Sequence, residues 1–143
     1  MTAFVIKAAV RDPGAERFSF AAQKTMYGGK QIAAGDTIYI FASENEGGDG
    51  LIARGIVLGA LALPRPAGVA RHTPRVSITV EPTAAATRRL GRRELKPFDD
   101  WNDGRPETEL NFKFYRQATD KIGGISPEAA AFLDSFFRTP GNG

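Results

Sequence analysis

Alternation with a period of two dominates the first half of the chain. In Phe4–Val10, Phe4, Ile6, Ala8 and Val10 alternate with Val5, Lys7 and Ala9, which predicts a strand with one dry face. Arg11–Gly14 is a turn, because Pro13 fixes φ and Gly14 tolerates positive φ. Ala15–Met26 has weak helical character through Ala21, Ala22, Gln23 and Lys24, although Phe18 and Phe20 suit a strand equally. Tyr27, Gly28 and Gly29 end it. Thr37–Ala42 is predicted as a strand, with Ile38 and Ile40 facing one way and Tyr39 and Phe41 the other. A polar, glycine-rich loop, Ser43–Gly50, leads into a long apolar strand, Leu51–Leu63, whose Gly55 and Gly59 mark bulges or bends.

Pro64 and Pro66 stop that ladder, and Ala67–Pro74 reads as a loop. Arg75–Val80 alternates cleanly, with Val76, Ile78 and Val80 inward. After Pro82, Thr83 is placed to cap a short helix, Ala84–Gly91. Leu95–Pro106 is irregular. Leu110–Arg116 reads as a strand with Leu110, Phe112 and Phe114 on one face, and Lys121–Ile125 as a turn or short strand. Helical spacing is clear only near the end. Ser126 at the N-cap, Pro127 at the first helical position and Glu128 in the first turn open a helix, and Ala129, Phe132, Leu133, Phe136 and Phe137 form its apolar stripe. Thr139–Gly141 closes the domain. The elements together predict an α+β domain over 1–143, a small mixed β-barrel of about five to six strands with flanking helices.

Composition adds limits. A chain of 143 residues, 42% hydrophobic and 24% charged, is one ordinary globular domain. No apolar run reaches the ~18–20 residues that span a bilayer. The opening MTAFVIKAAVRDP lacks the pattern of an export leader, so a cytoplasmic location is expected. The absence of cysteine excludes disulfides and thiolate metal sites. The net charge is +3, and its placement is uneven. Between Leu63 and Pro97, Arg65, Arg71, Arg75, Arg88, Arg89, Arg92, Arg93 and Lys96 face only Glu81 and Glu94. Such asymmetry suits a phosphate-backbone footprint, with Arg71, Arg75, Arg88, Arg89, Arg92 and Arg93 as candidates. A solvated arginine-rich face gives the same pattern.

Catalytic motifs are missing. The single histidine, His72, has no partners for a metal site or a triad. The Gly47–Gly50 run lacks the Lys-Ser/Thr of a phosphate loop, and Asp99, Asp100 and Asp103 fail calcium-loop spacing. No metal or cofactor is expected. Trp101, the only tryptophan, lies in FDDWNDGRP, a setting for a loop or pocket wall where it can stack on a base. It can equally plug the end of the barrel. Tyr27, Phe41, Phe98 and Tyr115 are further pocket aromatics, and Ser43, Asn45 and Asn102 can read a base edge.

Four stretches resemble the PUA-like superfamily, most closely its EVE/YTH-like branch. FVIKAA (4–9) is similar to that branch's aromatic-x-x-Lys-Ser opening, with Ala8 where serine is usual. The hairpin IYIFASENEGGDGLIARGIV, the segment WNDGRP and the closing KIGGISPEAAAFL carry the rest. The resemblance implies a barrel whose pocket takes a modified base flipped out of DNA or RNA, held by stacking and edge hydrogen bonds. The pocket lies between the end of Thr37–Ala42, the Lys24–Gly29 turn and the Trp101 loop. Lys7, Lys24, Thr25, Tyr27, Phe41, Ser43, Asn45, Phe98, Trp101 and Asn102 are its candidate residues. A nuclease or other effector is a possible partner of such a reader. The neighbouring ASCH branch shares Lys24-Thr25 followed by Gly35-Asp36, and implies an amidohydrolase acting on nucleoside-like ligands through Lys24, Thr25 and Glu44. A protein–protein adaptor using the basic face is a third reading.

Overall fold

Strand β1 (Ala3–Ala8) sits at the centre of the architecture, pairing in parallel with β3 (Thr37–Ala42) and antiparallel with β6 (Lys121–Ile125). The structure is a computed structural model that describes residues 3–64, 68, 74–117 and 119–137. With β2 (Phe18–Met26), β4 (Gly50–Ala62) and β5 (Arg75–Ala85), the strands close into a barrel in the order β1-β3-β4-β5-β2-β6. Three helices, α1 (Arg92–Leu95), α2 (Pro106–Phe114) and α3 (Pro127–Asp134), complete the mixed α+β fold expected from sequence. Among the described residues, no helix is long and apolar enough to cross a membrane. The expectations for Pro66, Arg71, His72 and Thr139–Gly141 lie outside the described residues.

Alternation gives β1 and β3 two cores. Phe4, Ile6, Ile38 and Ile40 point into the barrel and meet Phe18, Phe20, Val57, Val76, Ile78, Val80 and Ile122. Val5, Tyr39 and Phe41 point outward and meet Leu110, Phe114, Tyr115, Leu133 and Phe136 beneath the helices. Each such side chain contributes about 1.5–3 kcal/mol by leaving water. The interruptions expected at Gly55 and Gly59 are present, as register shifts at Arg54/Gly55 and Val57/Gly59.

Three segments differ from the sequence reading. The helical character of Ala15–Met26 gives way to β2, because ladder bonds to β5 and burial of Phe18 and Phe20 outweigh a propensity of a few tenths of a kcal/mol per residue. The compromise is a bulge between Phe20 and Gln23, with Ala22 in the left-handed region at φ 52°. The expected helix over Ala84–Gly91 is absent. β5 continues through Pro82, tolerated opposite the Gly55 irregularity, to Ala85, and Thr83 donates to the Arg54 carbonyl rather than capping a helix. Leu110–Arg116 is no strand. Pro106 at the first position and Glu107 and Glu109 in the first turn start α2. Leu110 and Phe114, four residues apart, share its buried face, a spacing that satisfies helix and strand patterns alike. Lys121–Ile125 resolves as a strand, and Ser126 caps α3 as expected, its hydroxyl accepting from Ala129 N at 3.1 Å.

Candidate ligand clefts

The ends of β1 and β6 bring two lysines together. Lys7 faces outward on β1, opposite Lys121 on β6 and Phe41 on β3. Both lysines are fully buried, at 1% and 0% exposure. Lys121 Nζ donates to the Thr119 carbonyl at 3.3 Å and lies 5.5 Å from the Phe114 ring centre. Lys7 Nζ lies 5.0 Å above the Tyr115 ring and has no hydrogen-bond partner among the described residues. Burial disfavours both ammonium groups. It holds Lys7 below its ordinary value, with Asp120 and Glu44 opposing and Arg92 reinforcing. It brings Lys121 to about 8, with the Lys7 charge adding to the effect and Asp120 resisting it.

The polar loop after β3 closes over this pair. The Ser43 amide donates to the Ala8 carbonyl at 2.9 Å, and the Ser43 carbonyl accepts from Glu46 and Gly48. Glu44 then ties the loop to the helical layer. Its carboxylate accepts from the Tyr115 hydroxyl at 3.0 Å and from the Arg92 amide at 2.6 Å. Burial, then the Glu44 charge, raises the Tyr115 phenol above its ordinary value, so it stays protonated and donating. The Ser43 hydroxyl is itself buried without a partner among the described residues, as is one carboxylate oxygen of Asp120. Beside them opens a polar cleft of about 430 Å³, lined by Ala22, Gln23, Lys24, Asn45, Glu46, Arg75, Thr119 and Asp120.

A second cleft, of about 270 Å³, lies against α2. Trp101, 39% exposed, meets Phe112 edge to face at 5.5 Å, and Arg116 lies over both rings at 5.4 and 5.0 Å. Lys113 bonds Glu109 at 3.0 Å and the Gly124 carbonyl at 2.9 Å, and sits 5.3 Å from the Tyr27 ring. Burial alone would raise the Glu109 carboxyl, but bonds from Ser126 and Lys113 hold it below its ordinary value.

No family model and no curated protein matches the chain. Solved structures do. Human THYN1 protein in complex with 5-methylcytosine-containing DNA is 13% identical, with a TM-score of 0.64 over 98% of this chain and 100% of that one. The DUF55 domain of human thymocyte nuclear protein 1 is 11% identical, with a TM-score of 0.62 over 92% and 96% of the two chains. A hypothetical protein from Leishmania major is 14% identical, with a TM-score of 0.60 over 94% of each. The fold is PUA-like. It is the barrel that the sequence resemblance implied.

On this PUA-like barrel the expected single pocket is divided in two. Lys24, Asn45 and Arg75 line the first cleft, Ser43 and Lys7 are buried next to its lining residues Asn45 and Asp120, Trp101 lines the second cleft, and Tyr27 lies over Lys113 of that second lining. At the second cleft the Trp101 indole packs edge to face on Phe112 of α2. Phe41 is buried core, edge-on to Tyr115 at 6.2 Å. The Thr25 hydroxyl donates to the Pro74 carbonyl, the Phe98 carbonyl accepts from Asn111, and Asn102 is exposed in a turn closed on Asp100. Of the ASCH-type set, Lys24 is an exposed cleft residue, while Thr25 and Glu44 are held by structural partners. Among the arginines, Arg88 bonds Ser135 over the Phe136 ring, and Arg89 pairs with Asp49 and Glu94. Arg75 anchors the Ala22 bulge at the cleft wall through the Ala22 carbonyl, Arg92 reaches Asn45, and Arg93 is exposed without an ion-pair partner among the described residues. Sequence reasoning missed Lys121 and Asp120. The signal for Lys121 was a lysine in KIGGI that becomes buried once that segment is a strand paired with β1.

Proposed function

We propose that this protein binds a nucleic acid and takes one base into the cleft between the Ala22–Lys24 bulge, the Ser43–Glu46 turn and Asp120. The observation that carries this reading is a set of buried polar atoms left unpaired in and next to the cleft lining: an oxygen of Asp120, which lines the cleft, the hydroxyl of Ser43, two residues from the lining residue Asn45, and Nζ of Lys7, which feels the Asp120 charge. Buried polar groups in folded proteins are almost always hydrogen-bonded, so donors and an acceptor left without partners next to a cavity suit a ligand with a hydrogen-bonding edge. A base offers such an edge, and the cleft volume of about 430 Å³ lies in the range of small-ligand sites. Lys24, Arg75 and Arg92 supply positive charge at the rim, where phosphates of the flanking strand would run. The structural neighbour human THYN1, described in complex with 5-methylcytosine-containing DNA, supports DNA as the polymer and an altered base as the target.

The test is binding of short single- and double-stranded oligonucleotides, each carrying one modified base, across a salt series. Affinity is expected to fall steeply with salt, and Lys24→Ala is expected to lower the salt slope by about one for a lost phosphate contact. Ser43→Ala is expected to keep the fold, since its hydroxyl bonds nothing inside the described protein, and to erode the preference for the modified base. Absence of binding at low salt to every oligonucleotide would refute the reading. A base preference that survives Ser43→Ala but is lost in Trp101→Ala would move the base to the second cleft.

A further inference from the structure

We infer that the first cleft selects a ligand group bearing an oxyanion, a carboxylate or a phosphate, over an apolar substituent such as a methyl group. The inference rests on the nucleic-acid reading and names the chemistry that the cleft asks of its ligand. Lys7 and Lys121 are direct cross-strand partners, both buried, on facing positions of β1 and β6. The groups that face them are few. Asp120 precedes Lys121 and opposes both charges, Glu44 acts on Lys7 from the loop, and Arg92 adds a third cation from α1. The Tyr115 and Phe114 rings cover the lysines from the α2 side, and Thr119 supplies one carbonyl.

This balance is incomplete. Glu44 is already engaged by the Tyr115 hydroxyl and the Arg92 amide. Among the described residues Asp120, with one carboxylate oxygen unpaired, is the acid that acts on both buried lysines, and Glu46 stands on the cleft wall. A buried cation needs a paired and hydrogen-bonded counter-charge. Lys7 Nζ and the Ser43 hydroxyl have no acceptor among the described residues, so a group that reaches them past the cleft lining at Asn45 and Asp120 must bring acceptor atoms carrying negative charge. An apolar methyl group would leave every one of these donors unpaired. An oxyanion would pair with them through the stronger, charge-assisted class of hydrogen bond. The group can belong to the inserted base, as a ring carboxylate, or to the end of a strand, as a terminal phosphate.

The experiment compares oligonucleotides of one sequence with a 5′-hydroxyl end and one cytosine, 5-methylcytosine or 5-carboxylcytosine, and adds the plain sequence with a 5′-phosphate. Binding by the wild type, Lys7→Met and Lys121→Met is read at fixed salt. The expected result is that the carboxyl-bearing or the 5′-phosphorylated strand binds at least about tenfold more tightly than the plain strand, as a charge-assisted contact allows. The preference falls to near unity in Lys7→Met, and whichever oligonucleotide gains identifies the source of the anion. It also weakens as the pH rises past the region where Lys121 loses its proton, at about 8. Equal binding of all four, or tightest binding of the methyl form, overturns the inference while leaving nucleic-acid binding intact. A preference unchanged in both lysine variants overturns it as well. Failure of every oligonucleotide to bind removes the underlying reading together with the inference. Thermal melts of both variants show whether each is folded.

Discussion

Replacing Lys121 with methionine is expected to stabilise the protein, most strongly at neutral pH. Lys121 is fully buried, and burial brings its pKa from 10.5 to about 8. Below pH 8 the ammonium is charged in both folded and unfolded chains, and the whole cost of burying it is present. Between pH 8 and 10.5 the folded protein has released the proton while the unfolded chain still binds it, so stability must rise with pH. The gap, 10.5 − 8, corresponds to roughly 3 kcal/mol at about 1.4 kcal/mol per unit. About 2 kcal/mol of this arrives by about pH 9.5, a gain in Tm of roughly 8 °C for a domain of this size. Lys7, shifted in the same direction, adds to the slope. Tyr39 and Tyr115 set the upper limit of the window. Both phenols are raised by burial and hydrogen bonding, so above about pH 10 the unfolded chain gains from ionising tyrosines that the folded one keeps neutral. The assay is urea unfolding at several values between about pH 7 and 9.5, with the m-value checked for constancy. Lys121→Met should be more stable than the wild type by on the order of 3 kcal/mol at the low end and show a much flatter slope. Wild-type stability that is flat or falls over this window, or a destabilised Lys121→Met, would refute the reasoning.

Three further outcomes follow from single contacts. Ser126→Ala removes the α3 cap and the hydroxyl bond to Glu109, and should cost about 1–2 kcal/mol in chemical denaturation. Gly50→Ala places a Cβ 2.3 Å from the Leu90 carbonyl oxygen at a φ of +86°, where an L side chain is also strained. It should cost about 3 kcal/mol or more and reduce soluble yield, whereas an alanine at Gly59, open on all sides, should have little effect in the same melt. Tyr39→Phe removes the 2.5 Å bond to Asp134, a carboxylate that also pairs with Arg54 at 3.4 Å, and should cost about 1.5–3 kcal/mol in urea.

The barrel was legible because most of its strands carry strong period-two patterns. Thr37–Ala42 appears with its expected bounds and expected faces, and the bulges marked by Gly55 and Gly59 are where they were expected. The misread segments are those whose local pattern fits two structures. Leu110, Phe112 and Phe114 alternate like a strand, yet Leu110 and Phe114 also share a helix face, and the Pro106 start signal decides between them. β2 was obscured because a bulge at Ala22 breaks its alternation just where its residues favour a helix. The site was half legible for a related reason. Lys7, Ser43, Asn45 and Lys24 come from segments whose elements or turns were read; Asn45 and Lys24 line one cleft, and Ser43 and Lys7 are buried next to its lining. Trp101 stands at a cleft wall, but beside Phe112 of a helix that the Leu110–Arg116 strand reading did not contain, and Lys121 was passed over in a segment left between turn and strand.

The position of the two lysines ties the stability prediction to the ligand. β1 and β6 are buried along nearly their whole length, so a side chain at Lys7 or Lys121 is withdrawn from water whatever its chemistry. Valine or methionine there would pack as the neighbouring Val5 and Ile125 do, without the desolvation penalty of a cation. The penalty falls next to the cleft wall, where Thr119, which lines the cleft, accepts from Lys121 and Asp120 acts on both lysines. An oxyanion bound there must restore the Lys121 ammonium, so binding takes up a proton above about pH 8 and becomes weaker as pH rises further. The same event should cancel the upward slope of stability with pH, because the liganded protein holds its lysines charged up to the range of the unfolded chain. Unfolding of the wild type with saturating 5-carboxylcytosine oligonucleotide should therefore show its largest ligand-induced gain near neutral pH and a smaller one near about pH 9.5. A gain that grows with pH would mean that the ligand prefers neutral lysines, and the cleft would then be reading a hydrogen-bond pattern without charge.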